Sequence, residues 1–159
     1  MDKLLAKHEL LMKQYETTRG FFIKMAESAP KEIVDVQPEG FNNTIHWHIG
    51  HVLTSAEKVI GYPDITTTYL PENYIDLFGM GTKPSEWIGD VPATDDLIRQ
   101  LKDQLVRIQQ IPAERLNETL DESLGHPFKG VTTLEELVSL LLMHEGTHMG
   151  QINAMKRII

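Results

Sequence analysis

The chain has 159 residues, 41% hydrophobic and 24% charged, which fits one globular domain, 1–159, with a core of ordinary size. A formal net charge of -8 disfavours two partners, nucleic acid, which needs a basic face to displace phosphate counterions, and an anionic membrane surface. The absence of cysteine excludes disulfides, thiolate metal sites and a cysteine nucleophile, so any metal must sit on imidazole, carboxylate or carbonyl groups.

Four long helices are predicted in chain order. The first runs from about Asp2 to Ser28, where Leu4, Leu5, His8, Leu11, Met12, Tyr15, Phe22 and Met25 recur at helical spacing, and Ala29-Pro30 stops it. Its charged, amphipathic start is unlike a signal peptide, and no apolar run approaches the ~18 residues of a membrane span, so the cytoplasm is the expected compartment. The second helix is capped by Asn42 or Asn43 and runs to about Ile60, ending at Gly61 and Pro63. A long connection follows, Gly61 to Ala93, with Pro63, Pro71, Pro84 and Pro92 and a short helix expected around Glu72 to Phe78. The third helix starts at a Thr94 cap, carries Asp95 and Asp96 in its first turn, and continues to about Gln110. The fourth is capped by Thr132 or Thr133, with Thr133 and Glu136 forming a capping box, and runs to the C-terminus. No strand pattern is evident beyond a short extended piece at Phe128 to Thr132. The fold class expected is all-α, a four-helix bundle with a long connection between helices two and three.

Seven histidines are present, and five of them fall in two of the predicted helices. His144 and His148 are spaced i, i+4, so one helix face offers two imidazoles to one ion. Leu137, Leu141, Ile152 and Met155 recur on the same side, which points the pair toward the apolar core, where unpartnered imidazoles are costly. In the second helix His48 and His51 can share a face, whereas His46 lies about 200° round from His48. One histidine of this helix would complete a three-histidine site with an open position, the arrangement of a catalytic metal. Spacing leaves the choice between His48 and His51 open. His8 and His126 are expected at surface or packing positions.

His144-Glu145-Gly146-Thr147-His148 also reads as H-E-x-x-H, in which a glutamate serves zinc proteases as general base. A third protein ligand downstream is lacking, because none of the 11 residues after His148 is His, Asp or Glu. Glu145 is therefore expected as a solvated residue or one that orients a ligand or bound water from outside the metal shell. Gly146 is expected to make room for a ligand or a neighbouring helix. Glu145 and His48 are the candidates for catalytic acid/base work.

Two stretches, Thr44-Ile45-His46-Trp47-His48-Ile49-Gly50-His51-Val52-Leu53-Thr54-Ser55-Ala56-Glu57 and His144-Glu145-Gly146-Thr147-His148-Met149-Gly150-Gln151-Ile152, carry a resemblance to the DinB/YfiT-like metalloenzyme superfamily. The first resembles its second helix, with a histidine at His51, and the second its H-x-x-x-H followed by x-x-(His/Gln)-Ile. Helix order and length agree, so the resemblance covers the whole chain. It implies an up-down-down-up topology, a divalent ion, zinc or nickel, on His51, His144 and His148, and a homodimer. Some such relatives transfer a low-molecular-weight thiol such as bacillithiol to a small molecule, and others are mycothiol-dependent isomerases. The expectation is thus a metal-dependent enzyme on a small-molecule substrate, of thiol S-transferase or hydrolase type. In that chemistry the open position takes water or a thiol, and the aromatics of the connection, Tyr69, Tyr74, Phe78 and Trp87, are expected either to wall the pocket or simply to pack. The alternative is a non-catalytic, metal-stabilised, stress-associated binding protein, which a carboxylate such as Glu57 or Glu145 on the metal would favour.

Overall fold

The computed structural model describes residues 2–62, 69–121 and 130–159. These residues are all-helical, with α1 Lys3–Glu27, α2 Ile45–Ile60, α3 Tyr74–Phe78, α4 Thr94–Gln109 and α5 Leu134–Ile158, and two 3-10 turns, Pro84–Glu86 and Ala113–Asn117. The one β pairing among them is an isolated bridge between Thr119 and Thr133. Of the extended piece expected at Phe128 to Thr132, residues 128 and 129 lie outside the described residues. None of the helices among the described residues is long and apolar enough to cross a membrane.

The helix ends follow side-chain chemistry. Asp2 accepts the Leu4 amide at the start of α1. Thr133 and Glu136 close the expected capping box on α5. Two caps differ from expectation. Thr44, rather than Asn42 or Asn43, caps α2, its hydroxyl accepting the Trp47 amide at 3.1 Å. Thr94 is the first residue of α4 and Ala93 its cap, with no side-chain cap bond, so the first turn depends on Asp95 and Asp96.

α1 and α2 each pack against both α4 and α5, and α3 lies on α2. The apolar residues form two clusters. Leu11, Met12 and Tyr15 of α1 join Ala56 and Val59 of α2, Ile108 of α4 and Leu134 to Leu141 of α5. Phe22 and Ala26 join Ile45 to Leu53, Leu97 to Leu101 and Ile152 with Met155. Buried polar residues lie where the clusters meet: Arg19 on α1, Thr54 and Glu57 on α2, Gln104 on α4 and Glu145 on α5. A buried polar layer therefore crosses the interior between two apolar halves.

The charged and amide members of that layer are all partnered, as burial requires, whereas the Thr54 hydroxyl has no partner among the described residues. Arg19 donates from Nε to Glu145 Oε1 at 2.6 Å and from Nη2 to Oε2 at 3.1 Å. Its Nη1 reaches Gln104 Oε1 and the Leu101 carbonyl. Gln104 donates to Glu57 Oε2 and the Leu53 carbonyl, and Arg107 closes the chain with two bonds to the Glu57 carboxylate.

Candidate metal centre

α2 is buried round most of its circumference, so its histidines enter the interior whatever face they occupy. His51 is held on two sides. Its Nδ1 lies 2.7 Å from the Phe78 carbonyl, which can only accept, so Nδ1 carries the proton and Nε2 presents a lone pair. The Trp47 ring stacks on the imidazole, centroids 4.4 Å apart and planes 12° apart. The Trp47 indole N–H is itself tied to the Thr82 hydroxyl at 2.9 Å. Gly50 lets α3 come this close, because a Cβ there would stand 2.3 Å from the Phe78 ring.

α5 supplies the facing pair. His144 Nε2 lies 3.0 Å from His51 Nε2 and 3.1 Å from His148 Nε2. One ligand atom from each of His51, His144 and His148 falls within 4.8 Å of the others, so the three form a cluster that could hold a metal ion. The donor chemistry fits: convergent neutral imidazole nitrogens suit a divalent first-row metal. Burial pushes the imidazoles toward the neutral, ligating form. His51 is lowered to about 4 by desolvation and by His144 and Lys58, against the Phe78 carbonyl. His148 is lowered to about 2 by desolvation and its histidine neighbours, and desolvation lowers His144.

His48, the alternative that spacing left open, stands behind the cluster, its Nδ1 2.7 Å from Nδ1 of His148, on the side of that ring away from His144. Burial and His51 lower it to about 4. His46 turns away, to the Asp35 carboxylate and the Pro92 carbonyl, both at 2.8 Å. His8 pairs with the Ile111 carbonyl at 2.6 Å. His126 lies outside the described residues.

Three expectations are corrected. Glu145 is not solvated; it is 1% exposed, on the core stripe of α5, with both oxygens on Arg19. The stripe Leu137, Leu141, Glu145, Ile152, Met155 is the buried face, and His144 and His148 are half-buried beside it, toward α2, rather than on it. Gly146 makes no room for a neighbouring helix, since an added Cβ would meet nothing within 4 Å among the described residues. Of the connection's aromatics, Phe78 reaches the histidines through its carbonyl, while Trp87 rests against His46 and Phe78. Tyr74 bonds Gln100, and Tyr69 lies under the Arg107 guanidinium.

Sequence reasoning missed Trp47 as the stacking partner of His51, although their i, i+4 spacing was available as a signal. It also missed the Phe78 carbonyl, which no side-chain pattern encodes, and the pairing of Arg19 with Glu145, 126 residues apart.

No curated protein matches the chain in sequence. Among solved structures it is similar to a conserved protein from Enterococcus faecalis, with a TM-score of 0.63, 13% identity and 94% of each chain covered, a likeness of fold alone. The family model of the DinB superfamily matches residues 14–152, and the chain, with its all-helical fold and its cluster of His51, His144 and His148, belongs to that superfamily.

Proposed function

We propose that the chain is a metal-dependent enzyme of small-molecule chemistry, a four-helix bundle in up-down-down-up order whose Nε2 atoms of His51, His144 and His148 hold one zinc or nickel ion. The observation that carries this reading is the convergence of those three nitrogens from two helices far apart in sequence. Such an ion lowers the pKa of a water or thiol in its open position and so supplies a nucleophile near neutral pH. Thiol S-transfer, with a low-molecular-weight thiol as cosubstrate, and hydrolysis are the two reaction types this chemistry serves. The chain's own residues keep the ligands in place: Phe78 and Trp47 fix the His51 ring, and the α5 backbone fixes His144 against His148. Both carboxylates of the buried polar layer, Glu57 and Glu145, are engaged by arginine, which favours an open coordination position over a closed structural one. A cytoplasmic homodimer is the assembly that goes with this reading.

The test is elemental analysis of untagged protein beside His51→Ala, His144→Ala and His148→Ala, with His8→Ala as control. About one divalent ion per chain, lost in the three variants and kept in the control, is expected. Thiol-transfer and hydrolysis screens of the loaded protein follow. Full ion content with no turnover would leave the non-catalytic, metal-stabilised protein as the reading, and no ion after reconstitution would sink both.

A further inference from the structure

The imidazoles of His51, His144, His148 and His48 are linked in that order by contacts of 3.0, 3.1 and 2.7 Å, and the order of their protons in the ion-free protein follows from one backbone atom. The Phe78 carbonyl fixes His51 as the Nδ1–H form, which leaves its Nε2 bare. His144 Nε2 stands 3.0 Å from that bare nitrogen, nearer than the Ser55 hydroxyl at 3.5 Å, so in the ion-free protein it carries the proton and donates. His148 Nε2, 3.1 Å from the same His144 nitrogen, is then the bare one, and the proton of His148 lies on Nδ1. Nδ1 of His48, 2.7 Å away, has no other part to play than to accept it, and His48 keeps its own proton on Nε2.

The geometry points to His48 as a positioning residue for the metal centre: by accepting from His148 Nδ1–H it holds the His148 ring with Nε2 bare and turned into the cluster. His48 does for His148 what the Phe78 carbonyl does for His51, so two of the three ligand nitrogens stand ready before an ion arrives. His144 alone must shift its proton, from Nε2 to Nδ1. Partners on the far nitrogen of a ligand histidine set its tautomer and orientation, and their loss typically weakens binding roughly 10–100-fold. The inference rests on the reading that these three residues take an ion, but its first measurement does not need one.

Ion-free protein with 15N-labelled histidines, examined by long-range 1H–15N correlation, should show His51 and His148 as Nδ1–H and His48 as Nε2–H. His48→Asn keeps an acceptor near the Nδ1 position and should keep His148 as Nδ1–H. His48→Leu should release it. Zinc affinity, read by competition with a chelator, should fall roughly 10–100-fold in His48→Leu and only a few-fold in His48→Asn. An Nε2–H His148 in the parent overturns the proposal, as does equal zinc affinity in His48→Leu and the parent. Equal loss in both variants would assign His48 a packing role and overturn it too. A parent that binds no zinc although its tautomers are as stated would defeat the metal reading instead, and with it the use assigned to His48.

Discussion

Glu145 sits inside the sequence H-E-x-x-H yet faces away from the histidines, and its environment decides between two behaviours. A general base would show in catalysis when replaced and leave stability intact. A carboxylate that is 1% exposed and doubly bonded to a fully buried Arg19 should show first in stability. Glu145→Gln leaves the Arg19 charge buried and half partnered, and breaking a buried pair from one side costs about 3–5 kcal/mol. Urea unfolding of Glu145→Gln should show a loss of that order, with zinc content of the folded protein unchanged. Arg19→Met combined with Glu145→Leu removes both charges and should be the less destabilised protein. A fully stable Glu145→Gln would contradict the placement of this side chain. The same residues mark what a sequence can disclose. His144 and His148 were legible as a pair because one helix fixes their relation, whereas the partner of Glu145 lies 126 residues away and reads, within Glu16-Thr17-Thr18-Arg19, as part of a solvated face.

At the scale of elements, one substitution made at two glycines should have opposite effects. Gly50 faces the Phe78 ring, where an alanine Cβ would come to 2.3 Å, so α3 would have to move off α2. Overpacking of this kind costs typically about 1–3 kcal/mol, and it displaces the carbonyl that holds His51. Gly146 faces open space on α5, and alanine there should stabilise the helix by roughly 0.8–1 kcal/mol. Thermal unfolding and zinc titration of the two variants should show Gly50→Ala weaker in both and Gly146→Ala more stable with its affinity unchanged. A destabilised Gly146→Ala would show that another chain covers that face of α5. The long helices were readable because their apolar periodicity extends over many turns. The α2 cap was placed one or two residues early, at Asn43 or Asn42, because three consecutive residues, Asn42, Asn43 and Thr44, all have capping side chains. Only the chain's path from the Val34 carbonyl, which receives the His46 amide, shows which of them starts the helix.

For the molecule as a whole, the two sets of buried polar groups predict different dependences. Glu57 loses solvation on folding, which raises its pKa, but Arg107, Gln104 and the Tyr69 amide outweigh this and hold it below its ordinary 4.5. A carboxylate lowered in the folded state contributes stability above its unfolded pKa and loses that contribution as pH falls through the folded one. Urea midpoints of the parent should therefore drop below about pH 4.5 more steeply than those of Glu57→Gln, with the two proteins converging in acid.

The histidine cluster ties α2 to α5 by a different route, through the concentration of a ligand. The ion binds the folded chain, where the three nitrogens lie within 4.8 Å of one another, and the unfolded chain separates His51 from His144 by 93 residues. At a free ion concentration 100 times the dissociation constant, the folded state gains about 2.7 kcal/mol. For a domain of this length that is a rise in unfolding midpoint of roughly 5–10 °C. The parent should therefore show a midpoint that climbs with the logarithm of free zinc and falls back on chelation. His144→Ala should show neither response, because the two remaining imidazoles make a weak site. Its ion-free midpoint should lie somewhat below that of the ion-free parent, since removing the ring leaves Nε2 of the buried His51 without the bond it accepts. A zinc-independent midpoint in the parent would mean that the imidazoles are satisfied by their own hydrogen bonds, and that the cluster holds protons rather than an ion.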